Sequence, residues 1–96
     1  MSTFDFLLHN KEKILSISSK HKASNIRVFG SVVRGEENEN SDIDFLVTFD
    51  SNSNLFDKIE LTRDLESLLN KKVDIISDNY IHWYLKDKIL SEAIEF

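Results

Sequence analysis

Val28-Phe29-Gly30-Ser31-Val32-Val33-Arg34-Gly35 leads through a polar loop into Ser41-Asp42-Ile43-Asp44, and this stretch decides the architecture. Ile26 to Phe29 is a short β-prone run that stops at Gly30-Ser31, and Val32 begins a short helical turn. Asp42 to Phe49 (DIDFLVTF) is β-rich and mostly apolar, the pattern of a strand buried on both faces. Upstream, Phe4, Leu7, Leu8, Ile14 and Leu15 make one apolar stripe. Thr3 to Ser19 is therefore expected to be an amphipathic helix capped by Ser2 or Thr3. Downstream, the turn-prone Asp50 to Asn54 precedes a helix expected from Leu55 to Leu69, with Asn54 as its N-cap. Leu55, Ile59, Leu61, Leu65, Leu68 and Leu69, together with Thr62, form its broad apolar side. Val73 to Ile76 reads as a third strand, and Asp78 or Asn79 could cap a helical stretch through Ile94. Helix, strand, short turn, strand, helix, strand, helix is the order of an α/β (α+β) domain with a small mixed sheet flanked by helices.

Composition bounds the rest. A chain of 96 residues is one small domain, residues 1–96. Its 41% hydrophobic and 30% charged content is globular, too apolar for a disordered chain. Twelve Lys+Arg against 17 Asp+Glu give a net charge of −5, which argues against gripping nucleic acid through its phosphates. The absence of cysteine excludes a disulfide framework, a thiolate zinc site and a cysteine nucleophile. Apolar runs such as Phe45-Leu46-Val47 are far too short for a membrane span. Met1 to Asn10 lacks the basic region of a signal peptide. The expectation is a soluble cytoplasmic protein.

The chemistry concentrates around the first two strands. Side chains alternate along a strand, so Asp42 and Asp44 share one face while Ile43 and Phe45 take the other. Glu36, Glu37, Glu39, Asp42 and Asp44 are five carboxylates in nine residues, with no Lys or Arg among them. Adjacent acids repel, and a divalent cation relieves that repulsion; hard oxygen ligands suit Mg²⁺. Asp74, between the core-facing Val73 and Ile75, adds a third carboxylate if its strand neighbours the Asp42–Asp44 strand. Three convergent acids can hold two metals, and Asp74 would also serve as general base for an acceptor hydroxyl. Gly30 allows a tight turn, Ser31 offers a hydroxyl and a backbone N–H, and Arg34 offers a planar cationic fork; all three suit a triphosphate. Taken singly, Gly30-Ser31 reads as an ordinary turn, Asp42 as a turn cap, and Asp44 and Asp74 as exposed strand residues. Their combination favours a metal–nucleotide site.

Gly30-Ser31, ten intervening residues and Asp42-Ile43-Asp44 resemble the signature of nucleotidyltransferases related to DNA polymerase β. The fuller GSVVRG, SDID and downstream VD resemble the minimal nucleotidyltransferases, the MNT proteins, antitoxins encoded beside a HEPN-domain toxin. The resemblance implies a palm-like fold and transfer of AMP from ATP to a tyrosine hydroxyl of that toxin. It further implies Asp42, Asp44 and Asp74 as catalytic acids and metal ligands, and Gly30 and Ser31 as the triphosphate cradle. Arg34 matches a basic residue common in the motif. Val32 and Val33 stand where relatives often carry Arg and Ala, a departure that removes no metal ligand.

Two other functions compete. A non-catalytic antitoxin would neutralise by binding alone, and a small-molecule adenylyltransferase would modify a soluble acceptor. The small chain leaves little material for a small-acceptor pocket, which favours a macromolecule that brings its own surface. Assembly with the toxin, or with itself, is expected.

The remaining features are read as structural. Glu36, Glu37 and Glu39 are a solvated loop, and His9, His21 and His82 are surface or half-buried residues. Lys71-Lys72 is too small a cluster to signal nucleic acid. At least one of Trp83 and Tyr84 is expected to pack on the sheet, the sharper reading being a partner surface. Ile89, Leu90, Ala93 and Ile94 form an apolar set that a chain this small does not readily cover.

Overall fold

The computed structural model describes residues 2–95. Met1 and Phe96, included in the expected domain, lie outside the described residues. The chain runs α1 (Thr3–His9), α2 (Lys11–Lys20), β1 (Ala23–Phe29), α3 (Ser31–Arg34), β2 (Ile43–Phe49), α4 (Leu55–Leu69), β3 (Val73–Ser77), α5 (Trp83–Glu92) and β4 (Ile94–Glu95). The strands form one mixed sheet in the order β3-β2-β1-β4. β2 pairs antiparallel with β1 and parallel with β3, and β4 pairs antiparallel with the far edge of β1.

Local chemistry explains the boundaries. Ser2 caps α1 through its hydroxyl, which accepts from Asp5 N–H at 3.0 Å. The expected continuous helix breaks at Asn10, whose Nδ2 donates to the Phe6 carbonyl at 2.9 Å. Such a side chain competes with the backbone for helical hydrogen bonds, so Asn10 ends one helix and starts the next. α4 begins and ends where its sequence indicates, held by a capping box between Asn54 and Asp57 and stopped by left-handed Asn70.

The C-terminal segment departs from expectation. Asp78 caps no helix: its carboxylate takes Arg27 at 2.8 Å and the Thr48 hydroxyl at 2.5 Å. α5 starts only at Trp83, and Ile94 is not helical but pairs in β4 with Val28. Pairing there satisfies backbone groups along the open edge of β1, which a longer helix would leave without partners.

Two cores sandwich the sheet. Ile43, Phe45 and Val47 of β2 face one way, packing with Leu7, Ile14 and the α4 row Leu61, Leu65 and Leu69. Leu46 faces the other way with Phe29, Ile76 and Ile89, under α5. β2 is thus covered on both faces. The α4 stripe is narrower than its periodicity indicates, because Leu55 is 69% exposed and Ile59 also lies open. His21 is 5% exposed rather than at the surface, and its Nε2 lies 2.6 Å from Asp64, tying the end of α2 to α4. His9 and His82 are exposed. Among the described residues no helix is long and apolar enough to cross a membrane.

Truncating Leu65 to Ala should cost about 3 kcal/mol in urea unfolding, since it leaves a cavity under the sheet. Leu55→Ala should change stability by less than about 0.5 kcal/mol. Equal losses at both positions would contradict the narrower buried stripe.

Candidate active site

Three neighbouring strands bring the predicted acids and the glycine turn together. In the register, Phe29 faces Asp44 across β1–β2, and Asp44 faces Asp74 across β2–β3. Alternation puts Asp44 on the face of Leu46 and Asp74 on that of Ile76, the face that α5 crosses. Asp42 lies two residues before Asp44, at the mouth of β2.

Gly30 follows directly. Its φ is +81°, and a Cβ there would overlap the Asp44 carboxylate. Only glycine lets the chain turn this close to the acid. The turn opens α3, where Val33 and Arg34 N–H groups both donate to the Gly30 carbonyl at 3.1 Å. Ser31 is the first residue of that turn, and its N–H belongs to the first-turn donors that an α-helix leaves without intrahelical partners.

Burial first, then the negative charges of Asp74 and Asp42, push the Asp44 carboxyl up to about 6, while Arg34 pulls it the other way. Asp42 and Asp74 are exposed and Asp44 is half-buried. Among the described residues no hydrogen bond or ion pair reaches any of these three carboxylates.

The donor set tests the fit of a metal. No three acidic or imidazole side chains among the described residues form a ready-made ligand cluster. Mg²⁺ rarely uses an all-protein cage, being held by one or two carboxylates, water and substrate phosphates. Unpartnered, mutually repelling hard oxygens fit that mode of binding.

Arg34 is engaged differently from a free phosphate fork. Its Nη1 contacts Glu92 Oε1 at 2.6 Å and its Nε contacts Glu36 Oε2 at 3.1 Å. Glu92 Oε2 also accepts from Gly30 N–H at 2.9 Å. The sequence gives no sign of Glu92, which lies 58 positions from Arg34 and ends α5 between Ser91 and Ala93.

Two hollows among the described residues bear on the site. The smaller, about 320 Å³, adjoins the acids in sequence and is lined by Glu39, Asn40, Ser41, Asn70, Lys71 and Lys72. The larger, about 560 Å³, is an apolar groove lined by residues such as Phe49, Leu55, Ile76, Tyr80 and Leu85. Phe49 and Ser77 end β2 and β3, so this groove lies at the far end of the strands from Asp44 and Asp74. Its lining includes no acidic side chain. Trp83 is 80% and Tyr84 62% exposed, so neither packs on the sheet. Their rings stack edgewise on each other, with centroids 5.8 Å apart.

A glycine turn pressed against a strand acid, with a second acid on the next strand, is a layout suited to nucleotidyl transfer. Residues 11–96 match the nucleotidyltransferase domain family, and the chain belongs to it. A proposed protein adenylyltransferase of Methanocaldococcus jannaschii is 45% identical over 85 residues, spanning 88% of this chain and 91% of the relative. A solved structure described as a proposed minimal nucleotidyltransferase is 41% identical with a TM-score of 0.88, covering 100% of this chain and 97% of the other. A toxin–antitoxin crystal structure with AMP-PNP shares 26% identity at a TM-score of 0.76, over 90% of this chain and 71% of that one. The chain is a nucleotidyltransferase of the minimal, MNT, kind.

The raised Asp44 value has a stability consequence. The folded chain holds this proton more tightly than the unfolded one. The contribution to stability is therefore full below the ordinary value of 3.8 and is lost as pH rises through about 6. In EDTA at pH about 7, Asp44→Asn should stabilise the fold by about 1 kcal/mol, and the gain should vanish near pH 4. A lower melting temperature for the variant at neutral pH would refute the destabilising burial of an ionised, repelled Asp44.

Proposed function

We propose that this chain, as one minimal domain over residues 1–96, transfers AMP from ATP to a tyrosine hydroxyl of a cognate HEPN-domain toxin and thereby silences it. The observation that carries this reading is Asp44, wedged between the Gly30 turn and Asp74 with no hydrogen bond or ion pair to its carboxylate among the described residues. The protein-adenylyltransferase name of the Methanocaldococcus relative supports a protein acceptor, and the toxin–antitoxin neighbour with AMP-PNP supports a toxin partner and an adenine nucleotide.

In this mechanism Gly30 and Ser31 seat the triphosphate against the start of α3, and Arg34 adds positive charge. Asp42, Asp44 and Asp74 would hold Mg²⁺, which when bound neutralises phosphate charge and favours an ionised acceptor oxygen. The tyrosine oxygen attacks the α-phosphorus in line, its bond to the bridging oxygen breaks, and pyrophosphate leaves. The hydroxyl proton passes to the Asp74 carboxylate, which is exposed and so open to a macromolecular acceptor. The reaction belongs in the cytoplasm, where ATP is present and a chain without cysteine needs no oxidising compartment.

Neutralisation by binding alone is the second reading, favoured by the exposed Tyr80, Trp83 and Tyr84 beside the apolar groove. Exposed aromatics of this kind are common anchors of protein interfaces.

Incubating the chain with α-labelled ATP, Mg²⁺ and host lysate separates the readings. Label should appear on one protein band, and the Asp42→Asn/Asp44→Asn double variant should lose at least about 100-fold of the transfer rate. Transfer at the wild-type rate by that variant would remove the metal assignment. Label on a soluble small molecule would identify a small-molecule transferase instead. A tight complex without transfer would leave binding as the function. In either case, Trp83→Ala should weaken the toxin complex by about 10-fold or more while leaving the melting temperature unchanged. Undiminished binding would remove α5 from the interface.

A further inference from the structure

The last turn of α5 reaches the glycine–serine turn, and Glu92 makes the contacts there. Its Oε2 accepts from Gly30 N–H at 2.9 Å and its Oε1 from Arg34 Nη1 at 2.6 Å. The side chain is only 15% exposed. One carboxylate thus engages both a backbone donor at a strand-to-helix turn and a guanidinium, the two kinds of group that hold a phosphate. A carboxylate and a phosphate are rival acceptors of like charge, and they cannot share these donors. Glu92 also remains ionised, since Arg34 holds its carboxyl below the usual range, and its charge adds to the repulsion felt by Asp44.

We propose that Glu92 is an internal stand-in for phosphate at the nucleotide subsite, and that the ATP triphosphate binds by displacing it from Gly30 and Arg34. The inference rests on the reading of Gly30, Ser31 and Arg34 as the triphosphate cradle. Glu92 then sets nucleotide affinity, because every binding event must first break its two contacts. Displacement also reaches the sheet. Ala93 follows Glu92 directly, and Ile94 and Glu95 of β4 pair with Val28 and Arg27. Losing the Glu92 anchor loosens the end of α5 and the edge strand behind it. Were Glu92 instead to hold Arg34 in the orientation that phosphate needs, its removal would weaken binding.

The sign of the effect decides. Full-length wild type, Glu92→Gln and Glu92→Ala are titrated with ATP and Mg²⁺ by calorimetry, and each is melted thermally. Gln keeps the volume and one neutral acceptor oxygen, so Glu92→Gln keeps the fold even where Glu92→Ala does not. The Gln variant should bind ATP about 10-fold more tightly than wild type, which is about 1.4 kcal/mol. Hydrogen exchange of the amides of residues 92–95 in wild type should accelerate when ATP is added. Unchanged or weaker ATP binding by a folded Glu92→Gln variant, with wild type binding normally, overturns this inference alone. Failure of wild type and variants alike to bind ATP overturns the cradle reading and this inference with it.

Discussion

Asp44 sits where three demands meet, and the rest of the site follows from satisfying them together. Its carboxylate lies so close to the Gly30 backbone that a methyl group there would overlap it. Its backbone pairs with Phe29 on one side and Asp74 on the other. The adjacent Phe45 and Val47 fill one core while Leu46 fills the second. A slip of β2 by a single residue would turn Asp44 into the core packed with α4 and move Phe45 to the face that α5 crosses. Apolar packing on both faces of β2 therefore fixes the register, and the register fixes the acids. The hydrophobic interior, more than any contact among the polar groups, holds three like charges near one another.

How much of this was legible in the sequence depends on the distance between the cooperating residues. Asn54 and Asp57 cap α4 from three positions apart, and the helix boundaries were readable in full. Gly30, Ser31, Asp42 and Asp44 lie within one strand–turn–strand unit; strand alternation turned Asp74 away from the core-facing Val73 and Ile75, and the β2–β3 pairing brings it beside Asp44. Glu92 and β4 were not legible, because both depend on partners more than fifty positions away on β1 and α3. The pair that buried His21 makes with partly exposed Asp64, 43 positions away, was likewise missed. Periodicity also overstated the buried side of α4. It identifies an apolar stripe but not how far along the helix the sheet extends, and Leu55 and Ile59 remain open. Asn10 shows the complementary error, in which one side chain bonding to the backbone divided a helix that the apolar pattern presented as continuous.

α5 connects two surfaces that the sequence presented as unrelated. Its first turn carries exposed Trp83 and Tyr84, and its last turn carries Glu92 against Gly30 and Arg34. Between them Ile89 alone is buried, so the helix rests on the sheet through a narrow contact. A helix held by one buried side chain and one carboxylate is lightly anchored compared with α4 and its row of three leucines. Events at either end of α5 are thereby mechanically close, although the two ends serve different surfaces.

β3 is an outer strand of the sheet, and its Val73, Ile75 and Ile76 are the kind of residues that recruit strands from other molecules. Two acids guard it. Glu66 takes the Val73 N–H at 3.0 Å, and Asp74 places on this outer strand an exposed charge that no hydrogen bond or ion pair reaches among the described residues. The same carboxylate that stands beside Asp44 thus acts as a gatekeeper against edge-to-edge aggregation. On the proposed mechanism, solubility and chemistry draw on one residue, so a lineage that dispensed with the reaction would still have reason to keep an acid at position 74.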